Sequence, residues 1–144
     1  EIWWKDFENV TPTAIEEIVR WGSPVIMMRR TATQDTQVRG QVVKEGDKLV
    51  LWYLAANRDE DVFENPYQFD VRRDPNEHVG FGGPGPHYCL GANLARREMT
   101  VMFEEIHRRM PDIVATDEPS YLWSNFINGI KHLPVKFTPG PKSA

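Results

Sequence analysis

Cysteine is almost missing from this sequence: Cys89 is the single one among 144 residues. One thiol cannot close an internal disulfide, and such sparing use fits a reducing cytoplasm. Long apolar runs are missing as well. No stretch approaches the length of a membrane span, and the opening residues do not read as a signal peptide. There is no excess of positive charge either: 17 Lys and Arg against 21 Asp and Glu leave a formal charge of -4, which argues against a general nucleic-acid binder. Internal repeats and low-complexity segments are absent. So is an initiator Met, and Glu1-Ile2-Trp3-Trp4-Lys5 reads as the middle of something, so the chain is expected to be a piece of a longer protein. What remains is a globular composition, 40% hydrophobic and 26% charged with five Trp, enough for a core.

The lone cysteine sits in the most informative stretch. Gly80-Phe81-Gly82-Gly83-Pro84-Gly85-Pro86-His87-Tyr88-Cys89-Leu90-Gly91 runs directly into an apolar-periodic segment. Gly82, Gly83 and Gly85 open backbone angles closed to other residues, while the two prolines stiffen the loop. The sulfur is expected just outside a helix N-terminus, where free N–H groups favour a thiolate. Several readings compete on spacing alone. A single cysteine is commonly a small buried hydrophobe. His87-x-Cys89 is half of a zinc pattern whose other half is missing, since His78, His107 and His132 are scattered. A nucleophile would need a base, and His87 on an irregular loop makes a poor dyad.

The stretch resembles the haem-binding loop of the cytochrome P450 monooxygenases: Phe, glycines, His or Arg, then Cys-x-Gly opening a long helix. The resemblance covers essentially the whole chain and corresponds to about the last third of a family member. It implies haem b as cofactor, O2 as co-substrate and Cys89 as the thiolate ligand of the haem iron. His87 then meets a haem propionate, Phe81, Gly82, Gly83 and Gly85 shape the loop, and Gly91 lets the helix approach the porphyrin. Phe81 lies eight residues before Cys89 where seven is commoner. That extra residue is shared with a bacterial branch acting on methyl-branched lipids and sterol side chains. The implied parent activity is monooxygenation, with terminal hydroxylation of methyl-branched fatty or isoprenoid lipids first and sterol side-chain oxidation second. The implied electron donor is a ferredoxin with its reductase, and the implied location cytoplasmic. No catalytic group beyond the haem ligand is expected here, because the family's oxygen-activating acid and alcohol lie on a distal helix with no counterpart in these residues. The chain alone is therefore expected to hydroxylate nothing. A non-catalytic haem-binding piece and a ligand-free remnant are the alternatives.

In chain order, five parts of one domain are expected. Residues 1–23 contain a helix capped at Thr11 with Pro12 in its first turn, an apolar stripe of Ile15, Ile18 and Val19, and a stop at Gly22 and Pro24. Glu17 and Arg20 share a face. By themselves they are an ordinary surface pair; by the resemblance they are the Glu-x-x-Arg structural lock beneath the haem loop. Residues 24–56 read as a small antiparallel sheet, with strands near 24–30, 37–43 and 48–53 and turns at Arg39-Gly40 and Glu45-Gly46-Asp47. Arg30 is a solvated strand end or, by resemblance, a propionate partner. Val25, Ile26 and Met27 are core or substrate pocket on the same two grounds. Residues 57–79 begin with a short helix opened by Asn57-Arg58-Asp59 and continue irregularly. In the family a further arginine completes the lock there; Gln68 stands where many members have it, Arg72 and Arg73 follow, and the third member stays open. Residues 80–110 hold the loop and a helix ended by Pro111. Its Arg96, Arg97, Arg108 and Arg109 are a solvated face or part of a donor-docking surface. Residues 111–144 carry Asn128-Gly129, a strong two-residue hairpin signal, then the alternating Val135-Lys136-Phe137. Phe126 to Lys131 resembles a terminal loop entering the substrate pocket, which assigns Ile127 to it. Residues 139–144 should fray. The fold class is α+β, the C-terminal part of a mainly helical enzyme.

Overall fold

Aromatic packing sets where the first long helix begins. In the computed structural model, which describes residues 1–140, α1 (Ile2–Lys5) and α2 (Phe7–Gly22) are in place well before Thr11, and Pro12 lies inside α2. A proline at that depth cannot donate to the Glu8 carbonyl one turn back. Tertiary contacts outweigh that loss. Trp3 stacks on Phe7 at 5.9 Å and meets Phe103 at 4.7 Å between ring centroids, and His107 stacks on Phe7 at 4.4 Å. Thr11, expected as the cap, instead accepts the Trp3 indole N–H at 2.8 Å. Val10, Ala14 and Ile15 complete this buried cluster, and α4 (Ala92–Arg109) brings Met99 and Phe103 to its edge. α2 stops after Gly22 because Ser23 turns left-handed at φ 37° and returns its N–H to the Val19 carbonyl.

The strands form separate two-stranded antiparallel ribbons among the described residues. β1 (Met27–Thr31) pairs with β4 (Lys48–Trp52), and β2 (Thr36–Val38) with β3 (Gln41–Val43). The span expected as one strand, 37–43, is thus a hairpin, with Arg39 and Gly40 both at positive φ as its two-residue turn requires. The short helix expected to open at Asn57 ends there instead: α3 is Tyr53–Ala56, and turns carry the chain on to Phe63. Near the C-terminus, β5 (Val114–Ala115) pairs with β8 (Val135–Lys136), and β6 (Ser120–Tyr121) with β7 (Ile130–His132). Asn128-Gly129 is not a two-residue turn. It closes a longer excursion from residue 122 in which Asn128 donates from its side chain to Gly22 O at 2.7 Å and from its backbone to Pro24 O at 2.9 Å. A local signal lost to long-range partners. Of the expected frayed end, residues 141–144 lie outside the described residues.

No helix among the described residues is long and apolar enough to cross a membrane. Between α3 and α4 the chain from 57 to 91 has no helix or strand, and its backbone packs on the buried charges of α2, Glu17 and Arg20.

Candidate functional site

An irregular stretch leaves backbone carbonyls without ladder partners, and each must find a donor. Arg20 supplies several. Its Nε and Nη2 hold the two Glu17 carboxylate oxygens at 2.7 and 2.8 Å, while Nη1 donates to the carbonyls of Asn57 and Pro66 at 2.7 and 2.9 Å and Nη2 to that of Gln68 at 3.1 Å. Both side chains are fully buried, and the guanidinium lies 5.3 Å from the Phe63 ring centroid. Glu17 is further satisfied by the Asp70 N–H at 2.9 Å, Asn76 Nδ2 at 3.1 Å and Arg73 Nε at 3.2 Å. The place left open in the sequence is therefore occupied by Arg73. Gln68 contributes only its carbonyl, shared between Arg20 and Arg73. Burial works to raise the Glu17 pKa, but the hydrogen bonds from Arg20 and the Asp70 amide outweigh it and hold the carboxyl below its ordinary value.

Asn57 ties this network to the cysteine loop. It is fully buried; its Nδ2 donates to Ser23 Oγ at 2.8 Å and its Oδ1 accepts the Val79 N–H at 2.8 Å. Gly80 follows with no room for a side chain, since a Cβ there would stand 2.5 Å from Val19 Cγ1. The loop then closes on itself. Gly82 N–H reaches Val79 O at 2.8 Å, Tyr88 N–H reaches Gly85 O at 3.1 Å, and Cys89 N–H reaches Phe81 O at 2.9 Å. Gly82 and Gly85 take φ of +90° and +136°, as the glycine pattern suggests. Gly83 does not: it has neither positive φ nor a close neighbour. Cys89 emerges exposed, and α4 starts three residues later with Gly91 as its N-cap. A Cβ on Gly91 would be 3.9 Å from the Cys89 sulfur.

The other candidate residues fall into two groups. The Val25 backbone bridges to Ile127, and the Ile26 N–H reaches Phe126 O at 2.9 Å, so the start of β1 and the C-terminal excursion are brought together; Met27 opens β1 opposite Trp52. His87 and Arg30 are exposed, and Arg30 donates only to its neighbour's carbonyl among the described residues. Of the four α4 arginines, Arg108 and Arg109, both exposed, pair with Glu105 on their own helix and Arg96 pairs with Glu16, leaving Arg97 exposed and without an ion pair among the described residues.

Sequence reasoning passed over Glu16 and His78. His78 Nε2 lies 2.9 Å from Glu16 Oε2, and its Nδ1 accepts the Gly80 N–H at 3.1 Å. That geometry demands the neutral ring with its proton on Nε2. Burial agrees, holding the His78 pKa below 6.5 despite the Glu16 carboxylate. Arg96 and His78, by their hydrogen bonds, keep Glu16 below its ordinary value against the opposing effect of burial. The signs all point one way. In acid the unfolded chain binds the proton that native His78 refuses, so stability falls as pH drops below about 6.5. It falls again below about 4.5, where unfolded Glu16 and Glu17 protonate first. Urea midpoints from pH 7 downward should show the upper step in the native sequence and lose it in His78→Gln.

Among the described residues no three His, Cys, Asp or Glu side chains gather to hold a metal ion. One exposed thiol on a rigid loop suits a metal that brings most of its own ligands, as iron in a porphyrin does. The comparisons agree with the geometry. A methyl-branched lipid omega-hydroxylase of Mycobacterium tuberculosis is 60% identical over 136 residues, which are 94% of this chain and 32% of that protein. A steroid C26-monooxygenase of Rhodococcus jostii is 47% identical over 135 residues, 93% of this chain and 29% of that one. A Mycobacterium marinum cytochrome P450 solved in complex with pseudoionone superposes with a TM-score of 0.90 at 45% identity, covering 94% of this chain and 32% of its own. The chain thus spans about a third of the length of the relatives it matches. The cytochrome P450 family model matches residues 3–110, from the aromatic cluster through the lock and the cysteine loop to the end of α4, and this chain belongs to that family.

Proposed function

We propose that this chain is the thiolate-bearing portion of a haem monooxygenase, with Cys89 as the residue that would hold the iron of haem b. The observation that carries the proposal is a lone exposed thiol presented by a loop closed from Val79 to Cys89, with no other metal-holding cluster among the described residues. When bound, the haem supplies the activation of O2, so that one oxygen atom enters a C–H bond and the other leaves as water.

The chain's own residues hold and orient. The Phe81 carbonyl fixes the Cys89 backbone, and Gly82 and Gly85 supply the positive-φ turns with which the loop closes. His87 and Arg30 are assigned to the propionates, a role suited to an imidazole N–H and a guanidinium fork. Glu17, Arg20 and Arg73 keep the backbone beneath the loop from moving when a charged ligand settles above it. Val25, Ile26, Met27 and Ile127 are assigned to one wall of the substrate pocket, which their backbone bridge supports.

The substrate we assign is a methyl-branched lipid oxidised at its terminal carbon, supported by the 60% identity to a relative of that name, with a sterol side chain as second choice. A ferredoxin-type donor in a reducing cytoplasm fits a chain whose single thiol must stay reduced. These residues furnish the thiolate side alone and should not turn over substrate by themselves. The test is the spectrum of the haem-loaded, reduced, carbon-monoxide-bound protein. A thiolate-type Soret band in the native sequence, lost in Cys89→Ala, is expected; a band that survives the substitution overturns the assignment.

A further inference from the structure

A second, partly buried carboxylate lies beside the lock, and it serves a different part of the molecule. Glu16 precedes Glu17 on α2, but its carboxylate turns to α4, where Arg96 Nε and Nη2 grip its two oxygens at 2.5 and 2.8 Å. The same guanidinium then meets both ends of the cysteine loop. Its centre stands 4.5 Å from the Phe81 ring centroid, and Nη1 reaches the Tyr88 hydroxyl at 3.3 Å. Phe81 is the residue whose carbonyl holds the Cys89 amide, and Tyr88 immediately precedes Cys89. His78 closes the circuit, with one ring nitrogen at Glu16 and the other taking the Gly80 amide.

We propose that Arg96 is a positioning residue that clasps the two ends of the Cys89 loop together against α2, setting the direction in which the thiol leaves the loop. The proposal rests on the assignment of Cys89 as the metal ligand for its purpose, but not for its mechanics. A guanidinium suits the task because one rigid plane offers a two-pronged face to a carboxylate, an edge to a hydroxyl and a flat surface to an aromatic ring. A lysine would keep the charge opposite Glu16 and lose the other contacts. Arg96 is only partly exposed, with 31% of its side chain open, so water weakens the pair less than on a free surface.

Hydrogen–deuterium exchange of the haem-free chain tests this directly. In Arg96→Lys the amides of Gly82 and Cys89 are expected to exchange about tenfold faster or more, while those of Asn57 and Asp70 at the lock keep their native rates. Tyr88→Phe, which removes one arm of the clasp, should fall between. Native exchange at Cys89 in Arg96→Lys overturns the proposal, because charge alone then suffices. Equal acceleration at the loop and the lock overturns it too, because the effect is then general destabilisation. So does an unprotected Cys89 amide in the native sequence. None of these outcomes requires haem, so failure of the Cys89 assignment would show separately, in the spectrum.

Discussion

Arg20→Ala is expected to destabilise the fold by about 3–5 kcal/mol, the scale for removing one partner of a buried ion pair. That is a large part of the stability an ordinary domain has. The loss has two sources in this structure. The Glu17 carboxylate would stay fully buried, keeping only Arg73, Asn76 and an amide for company. The carbonyls of Asn57 and Pro66 would lose their guanidinium donor in a segment that has no ladder to replace it. Arg20→Lys should recover little, since a single ammonium cannot face a carboxylate and three carbonyls lying in different directions. Urea unfolding followed by circular dichroism measures both variants; a loss below about 1 kcal/mol in Arg20→Ala, the level of an exposed pair, would contradict the burial argument.

Trp3→Ala should cost nearly as much, about 3–5 kcal/mol for a buried large aromatic. Trp3 is 8% exposed and is the centre of the cluster that joins the start of α2 to α4. Its removal opens a hole between Phe7 and Phe103 and leaves the Thr11 hydroxyl without the indole N–H. The expected signature is local as well as global. Helical signal from the first turn of α2 should fall, because Pro12 deprives that turn of an internal hydrogen bond and only packing holds it. Trp3→Phe, which keeps most of the area but not the N–H, should recover more than half of the loss.

These two residues also mark the limit of what could be read in the sequence. Glu17 and Arg20 are three apart on one helix, so their pairing is local and legible. Their third partner is Arg73, in a stretch without period, and nothing in residues 66–73 distinguishes Arg73 from Arg72 or Gln68. The loop was legible because glycine, proline and cysteine act locally: Gly82 and Gly85 take the angles that only their composition permits, although Gly83 turned out not to need them. Trp3 and Trp4 carry no such local mark. Their partners are about a hundred positions away on α4, so the cap signal at Thr11 was the stronger local evidence and pointed about a turn and a half too late. Asn57 misled for the same reason. Its side chain suits a helix start, and here it is spent on Ser23 and Val79.

The separation between Glu17 and Arg73 carries a consequence for biosynthesis. The two are 56 positions apart, and Glu16 and Arg96 are 80 apart. A ribosome adding roughly 5–20 residues per second needs about 3–11 s to cover the shorter interval. For that time the Glu17 carboxylate waits without Arg73, and Glu16 waits longer still for Arg96. The nascent helix can form early, but its burial must wait for the irregular segment that follows. Packing of the α2 charges is therefore timed by translation of residues 57–96, the interval on which slow codons or a holding chaperone would act.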